Sequence, residues 1–408
     1  MKYKISGHIT IVSVKDYHKT NVPEEYNNGY YILSDHKLGR DFLINDAIAY
    51  FIGKFSTPKK KSDVLKEIEA EIKSEVSSLW DSGTVFFKHL KENRILVSEK
   101  KAEKRIDVES LFKAGDFIDD FTVLEVLSNK KVTEIYLVQG GKANKKFILK
   151  LVNRNKANNV KGYCKELADL AREYAILHKR KKVKSISRVY GFNDKNKHYA
   201  YIVEEFICGK SLSNYLNEGA LVSKEDCFSL IENIIHAFSL LHKSKLIHGD
   251  IHSLNILVSD DRSIKIIDLG MSKNLKNVRE QVIKFGGVNH YMPPERINIL
   301  SSDKYSIEPD LYSDVYQIGL LIYLVLYKTL PFSGFIWEEL AKDIKEKTAT
   351  FNANTFQHYT IPSGLINIIK KCLNKNPVKR YSKAEQILKD YKKQFKKIVK
   401  KTSAEPTK

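Results

Sequence analysis

His248-Gly249-Asp250-Ile251-His252-Ser253-Leu254-Asn255, followed by Ile266-Ile267-Asp268-Leu269-Gly270, decides how this chain is read. Two carboxylates, Asp250 and Asp268, and the carboxamide of Asn255 stand beside the apolar runs Ile256-Leu257-Val258 and Ile264 to Ile267. Those two short runs predict a strand pair. The polar groups around it are oxygen donors that suit a hard divalent cation and the proton of an attacking hydroxyl.

Working outward, 408 residues exceed one average domain and leave room for a smaller partner. The four cysteines, Cys164, Cys208, Cys227 and Cys372, are far apart with no C-x-x-C spacing. They suggest neither a disulfide framework nor a zinc site, and a reducing, cytoplasmic setting is expected. The first residues lack the basic start, apolar core and small-residue cleavage site of a secretory signal. The longest apolar run, Ile318 to Tyr327, is too short to span a bilayer and predicts a buried core helix.

The formal charge of +20 is unevenly placed. Residues 1–100 hold 16 Lys and Arg against 14 Asp and Glu, a balance of only +2, so the basic excess lies further on. Such a field favours acidic or phosphorylated ligands, yet it is also an ordinary means of staying soluble. Lys179-Arg180-Lys181-Lys182 is the densest cluster, and no aromatic residue interleaves with it as single-strand binders require. Nucleic acid is not expected as a partner.

Residues 1–97 read as a separate small domain. Ile9 to Val14 and Tyr30 to Leu33 predict strands, Asn45 caps a helix over 46–55, and Ser62 opens a second helix carrying Val64, Leu65, Ile68 and Ile72. Trp80 to Leu90 predicts a third helix before the strand Ile95-Leu96-Val97, an order that reads as a winged helix. The segment from Phe42-Leu43-Ile44-Asn45 to Arg94-Ile95-Leu96-Val97 resembles the PqqD-like peptide-recognition domain found beside enzymes that modify ribosomally made peptides. That resemblance implies capture of an unfolded leader peptide as an added strand. Docking on the neighbouring domain and DNA binding are the competing readings, and a charge of +2 makes a poor footprint for DNA. Residues 98–115 form a charged linker. A strand-rich lobe over 116–208 and a helix-rich lobe over 209–393 follow, then a basic tail, 394–408. The final helix shares one apolar face through Ile387, Leu388, Tyr391, Phe395, Ile398 and Val399, and is expected to cover a domain surface.

From 116 to 393 the chain resembles the protein kinase superfamily, which implies an α+β, bilobal fold with a β-rich small lobe and an α-helical large lobe. Asp250, Asn255 and Asp268 stand in the order and spacing of the phosphoryl-transfer template. The resemblance makes Asp250 the base toward the acceptor hydroxyl and Asn255 and Asp268 the holders of Mg. Phe147-Ile148-Leu149-Lys150-Leu151 is similar to the strand whose Lys meets the ATP phosphates, and Glu173 lies on a following helix where its partner belongs. Tyr201 to Gly209 resembles the hinge, with Glu205 and Ile207 offering backbone groups to adenine and Glu204 at the back of the pocket. A buried carboxylate there needs a partner. Tyr291-Met292-Pro293-Pro294-Glu295, Ser313-Asp314-Val315-Tyr316 and Arg380 complete a series that small-molecule kinases of the aminoglycoside and choline type are not expected to carry.

Departures from the pattern shape the expectation. The phosphate-covering loop reads Ser128-Asn129-Lys130-Lys131-Val132-Thr133, without glycine, so Ser128 and Lys130 or Lys131 are the candidates for nucleotide contact. His252 stands for the family's Lys two residues after the catalytic Asp. Gly249 replaces the Arg that receives an activation-loop phosphate, and between Asp268 and Glu295 the hydroxyl residues are Ser272 and Tyr291 alone. Val288 replaces a supporting Thr, so the choice between Ser/Thr and Tyr is not legible. The leading expectation is an ATP- and Mg-dependent kinase acting on Ser or Thr of a protein or peptide, with catalytic residues Asp250, Lys150, Glu173 and His252. A pseudokinase scaffold and a small-molecule phosphotransferase are the rivals.

Overall fold

The structure, a computed structural model, describes residues 2–6, 9–13, 30–35, 40–72, 87, 90–91, 95–99, 110–129, 132–141, 144–157, 160–219, 221, 223–275, 289–297, 308–332, 337–351 and 361–402. The chain divides into two compact units, residues 1–107 with 334–339 and the remainder.

In the first unit β1 (Lys2–Ile5), β2 (Ile9–Ser13), β3 (Tyr30–Asp35) and β4 (Arg40–Asn45) precede α1 (Asp46–Gly53). Then come β5 (Lys59–Lys60), α2 (Lys61–Ile72) and β6 (Leu96–Ser98). They build two antiparallel three-stranded sheets, β5-β1-β6 and β2-β3-β4. Ile9, Leu33, Ile52, Phe55, Val64, Ile68, Phe87, Leu90 and Leu96 share one core. Strands β1, β4 and β5 are additional to the sequence reading, because runs such as Lys2-Tyr3-Lys4-Ile5 are too short and too charged to signal a strand without their partners. The expected helix at Trp80 to Leu90 lies largely outside the described residues.

The second unit opens with an antiparallel sheet in the order β11-β12-β10-β9-β8-β7. Its strands are β7 (Phe117–Ile118), β8 (Phe121–Asn129), β9 (Thr133–Gly140), β10 (Lys145–Asn153), β11 (Val189–Asn193) and β12 (Tyr199–Glu205), and α3 (Val160–Lys179) lies between β10 and β11. Side chains alternate across such a sheet. Tyr136, Val138, Leu149, Leu151, Tyr201 and Val203 therefore form a core on one face, while Lys150 and Glu204, two register positions apart, share the other.

A second set of elements follows: β13 (Lys210–Ser211), α4 (Leu212–Asn217), α5 (Lys224–Lys243), β14 (Leu246–Ile247), β15 (Ile256–Val258), β16 (Ile264–Ile266) and β17 (Lys273–Asn274), then α6 (Leu311–Tyr327), α7 (Trp337–Glu346), α8 (Ser363–Cys372) and α9 (Ala384–Thr402). β15 and β16 pair as the sequence predicts. Helix α6, capped by Asp310, is buried along nearly its whole length, and no described helix is long and apolar enough to cross a membrane. Ile387 and Tyr391 of α9 are buried, and the Tyr391 hydroxyl donates to the carbonyl of Phe228 in α5 at 2.8 Å. This half of the apolar face covers α5.

Candidate active site

Lys150 sits mid-strand in β10 between Ile135 of β9 and Ile202 of β12, which holds its stem rigidly. Its Nζ lies 2.8 Å from Glu173 Oε2 on α3 and 3.1 Å from Asp268 Oδ1. Burial pulls the ammonium pKa down, but Glu173, Asp268 and Glu204 outweigh it, so Lys150 stays charged. Lys150 in turn holds the Asp268 carboxyl well below the usual range. Asp268 takes up a left-handed backbone, φ 59°, and its side chain is 52% exposed. The turn is tied to α3 by Arg172, whose Nη2 donates to the Gly270 carbonyl at 2.5 Å.

The loop carrying Asp250 is braced from α6. Asp314 accepts the backbone N–H groups of His248 and Gly249 at 2.8 and 2.9 Å, and Gln317 accepts that of Ile251 at 3.1 Å. Gly249 has φ 81°, and an added Cβ would lie 2.8 Å from the Met271 carbonyl, so the position fits glycine on two grounds. The fully buried Arg296 donates to the Gly249 carbonyl at 3.1 Å. Asn255 Nδ2 donates to the Asp250 carbonyl at 3.0 Å, which leaves the amide oxygen as its cation-ligating end. His252 Nε2 lies 3.7 Å from Asp250 Oδ2.

His242 of α5 sits behind this brace. Ala384 N–H donates to its Nδ1 at 3.0 Å, so the proton on Nε2 faces Asp314 Oδ2, also at 3.0 Å. Arg380 grips Glu295 with two bonds of 2.8 and 2.7 Å, the pairing the sequence anticipates. Arg172, Arg296 and His242 escape the sequence reading, for their partners are main-chain groups or distant side chains that no local pattern names.

At the hinge, Glu205 uses its N–H on the Arg188 carbonyl at 2.8 Å and its carboxylate on Lys265 at 2.8 Å. Ile207 follows beyond the strand. Ser128 pairs with Ile135 in the β8–β9 hairpin, and Lys130 lies outside the described residues.

Glu204 meets its need for a partner through the Ser187 hydroxyl, which donates to Oε2 at 2.9 Å. Burial, then the neighbouring Glu173 charge, pushes its carboxyl up to about 7. The unfolded chain ionises this group near its ordinary value of 4.5, so stability from it is full below that pH and declines as pH rises towards 7. Glu204→Gln is expected to remove this decline, a few kcal/mol at about 1.36 kcal/mol per unit. Urea titrations of both proteins at pH 5 and 7.5 check it.

The described residues hold no cluster of three or more His, Cys, Asp or Glu side chains able to hold a metal alone. The donor set nevertheless fits Mg, which keeps several waters and takes one or two carboxylates together with substrate phosphates. Asp268, half exposed, and the amide oxygen of Asn255 are the groups that could hold such a cation.

The protein kinase domain model matches residues 121–391, two-thirds of the chain. The chain belongs to the protein kinase family, an enzyme class of transferases. It is 26% identical over 281 residues to serine/threonine-protein kinase PLK4 of Drosophila virilis, covering 67% of this chain and 33% of that protein. It is 29% identical over 276 residues to PLK4 of Nematostella vectensis, 65% of this chain and 25% of that one. With serine/threonine-protein kinase PrkC of Bacillus subtilis the identity is 24% over 277 residues, 67% and 40% of the two chains. The chain thus spans about a third of the length of the curated relatives it matches.

Proposed function

We propose that this chain is an ATP- and Mg-dependent protein or peptide kinase that transfers the γ-phosphoryl group to a Ser or Thr hydroxyl. The observation that carries the reading is Lys150 joined to both Glu173 and Asp268, at 2.8 and 3.1 Å. One ammonium is thereby oriented on the face from which Asp268 projects. Lys150 steadies the nucleotide phosphates, and Glu173 keeps the Lys150 head from swinging away. Asp250 accepts the proton of the acceptor hydroxyl, while Asn255 holds the Asp250 loop closed through its carbonyl bond. Asn255 and Asp268 would hold Mg, which would neutralise phosphate charge. Ionised at neutral pH only in part, Glu204 closes the back of the base pocket. His252, its Nε2 3.7 Å from Asp250 Oδ2, takes the place of the family's Lys beside the acceptor.

In this reading residues 1–97 recruit substrate, 98–115 link, 116–208 and 209–393 are the two lobes, and 394–408 are a basic tail. A peptide partner, a winged-helix relationship for 1–97 and a cytoplasmic setting belong to the same reading. Edge strands support peptide capture, since the β2-β3-β4 sheet ends in β2 and β4, where an added strand can pair. The serine/threonine preference is supported by the relatives, which are serine/threonine-protein kinases.

Turnover of Mg-ATP with a generic protein, a Ser/Thr-rich peptide and small alcohols tests the proposal, with the phosphorylated residue located by mass spectrometry. Phosphate on alcohols alone makes the chain a small-molecule enzyme. Nucleotide binding without transfer makes it a scaffold. A chain beginning near Ser98, once shown to fold, is expected to raise KM for the true substrate at least about tenfold while kcat and activity on a generic acceptor barely change. Collapse of kcat on every acceptor assigns residues 1–97 to bracing the small lobe instead.

A further inference from the structure

Glu134 of β9 lies outside the catalytic set and is fully buried. It gathers Lys156 Nζ at 2.7 Å, Asn153 Nδ2 at 2.8 Å, the Tyr136 hydroxyl and the main-chain N–H of Leu111 at 2.8 Å. Lys156 also donates to Asn129 Oδ1 at 2.5 Å. Asn129 and Glu134 face each other in the β8–β9 register, so this one ammonium joins the two sides of the turn that lacks glycine. From the linker side, Phe112 N–H donates to the Tyr136 hydroxyl at 3.2 Å, and the Phe112 ring packs on Tyr136 and Tyr199 with centroids 6.0 and 5.5 Å away.

We propose that Lys156 and Glu134 are positioning residues that clamp the phosphate-covering turn, and that the linker at Leu111–Phe112 sets the clamp through the same carboxylate. This rests on the reading of the cleft as a nucleotide site. A glycine-rich turn approaches phosphate by backbone freedom; here the strand residues flanking 130–131, Asn129 and Glu134, are joined by a buried, charge-assisted network. Removing Lys156 unlinks Asn129 from Glu134 and leaves a buried carboxylate short of its cation. Removing the Leu111 N–H weakens the same carboxylate from the linker side. Because the turn meets the nucleotide before and during transfer alike, the loss falls on binding more than on kcat. The linker that follows residues 1–97 thereby acts on nucleotide affinity.

The test uses the full chain with Lys156→Met, Lys156→Arg and Leu111→Pro, the last removing the amide donor together with the leucyl side chain, with Leu111→Ala as the control for the side chain alone. Steady-state kinetics with ATP varied, Mg-ATP calorimetry and amide exchange across 126–136 are read together. Expected are a rise of about fivefold or more in KM and Kd for Lys156→Met and Leu111→Pro with kcat within about twofold, faster exchange in both, and recovery in Lys156→Arg. Unchanged KM and Kd in folded Lys156→Met, or a fall in kcat alone, overturns the clamp. If the unsubstituted chain binds no nucleotide, it is the nucleotide reading that fails, and unchanged amide exchange in the variants then overturns the clamp by itself. Should Lys156→Met not fold, Leu111→Pro decides by the same readouts.

Discussion

Replacing Asp268 by Asn is expected to lower kcat about a thousandfold, the rate equivalent of roughly 4 kcal/mol of transition-state stabilisation. The residue projects a half-exposed carboxylate from a left-handed turn, 3.1 Å from Lys150. Asn adopts that backbone readily, and Lys150 keeps Glu173 at 2.8 Å, so thermal unfolding of the variant should lie within a few degrees of the parent. Asp250→Asn is the companion: kcat falls by about 10²–10⁴ while Mg-nucleotide titration gives an unchanged Kd. Turnover retained by purified Asp268→Asn would assign the cation to other groups.

The largest effect on stability is expected from Arg380→Met, at about 3–5 kcal/mol. The Arg380 side chain is wholly buried and spends its donors on both Glu295 oxygens and on the carbonyls of Asn374, Tyr312 and Lys375. Its guanidinium also lies 4.8 Å from the Tyr316 ring centroid. Met fills much of the volume but leaves the Glu295 carboxylate without its cation. Urea unfolding should show a lower midpoint with an unchanged slope, and Arg380→Met with Glu295→Leu should recover part of the loss. A loss below about 1 kcal/mol would class the pair with screened surface bridges.

The run from His248 to Asn255 was legible because its contacts are local. Asn255 reaches the Asp250 carbonyl five residues back, and the β15–β16 pair is written in two adjacent β-branched runs. Lys150 and Glu173 could be joined because a strand and the following helix carry them in a known spacing. The brace from Asp314 and the grip of Arg380 on Glu295 were read the same way. Glu204 was flagged as a carboxylate in need of a partner, but Ser187 could not be named, since the two meet through strand pairing. The small unit was read with three strands too few in its sheets, because β1, β4 and β5 become strands only by pairing, β1 with β5 and β6 and β4 with β3.

By itself the sequence determined the oxygen donors and their spacing, the kinase order of motifs and the loss of glycine from the phosphate-covering turn. Tertiary structure alone decided which charges are buried and what compensates them. Glu134 and Arg296 look like surface residues in the chain, yet both are fully enclosed. The reason is that burying a charge depends on what packs over it, and its cost is met by donors and acceptors from segments remote in sequence. For Glu134 those donors are Leu111 and Lys156, and for Arg296 the acceptor is the Gly249 carbonyl. Only the fold brings them together.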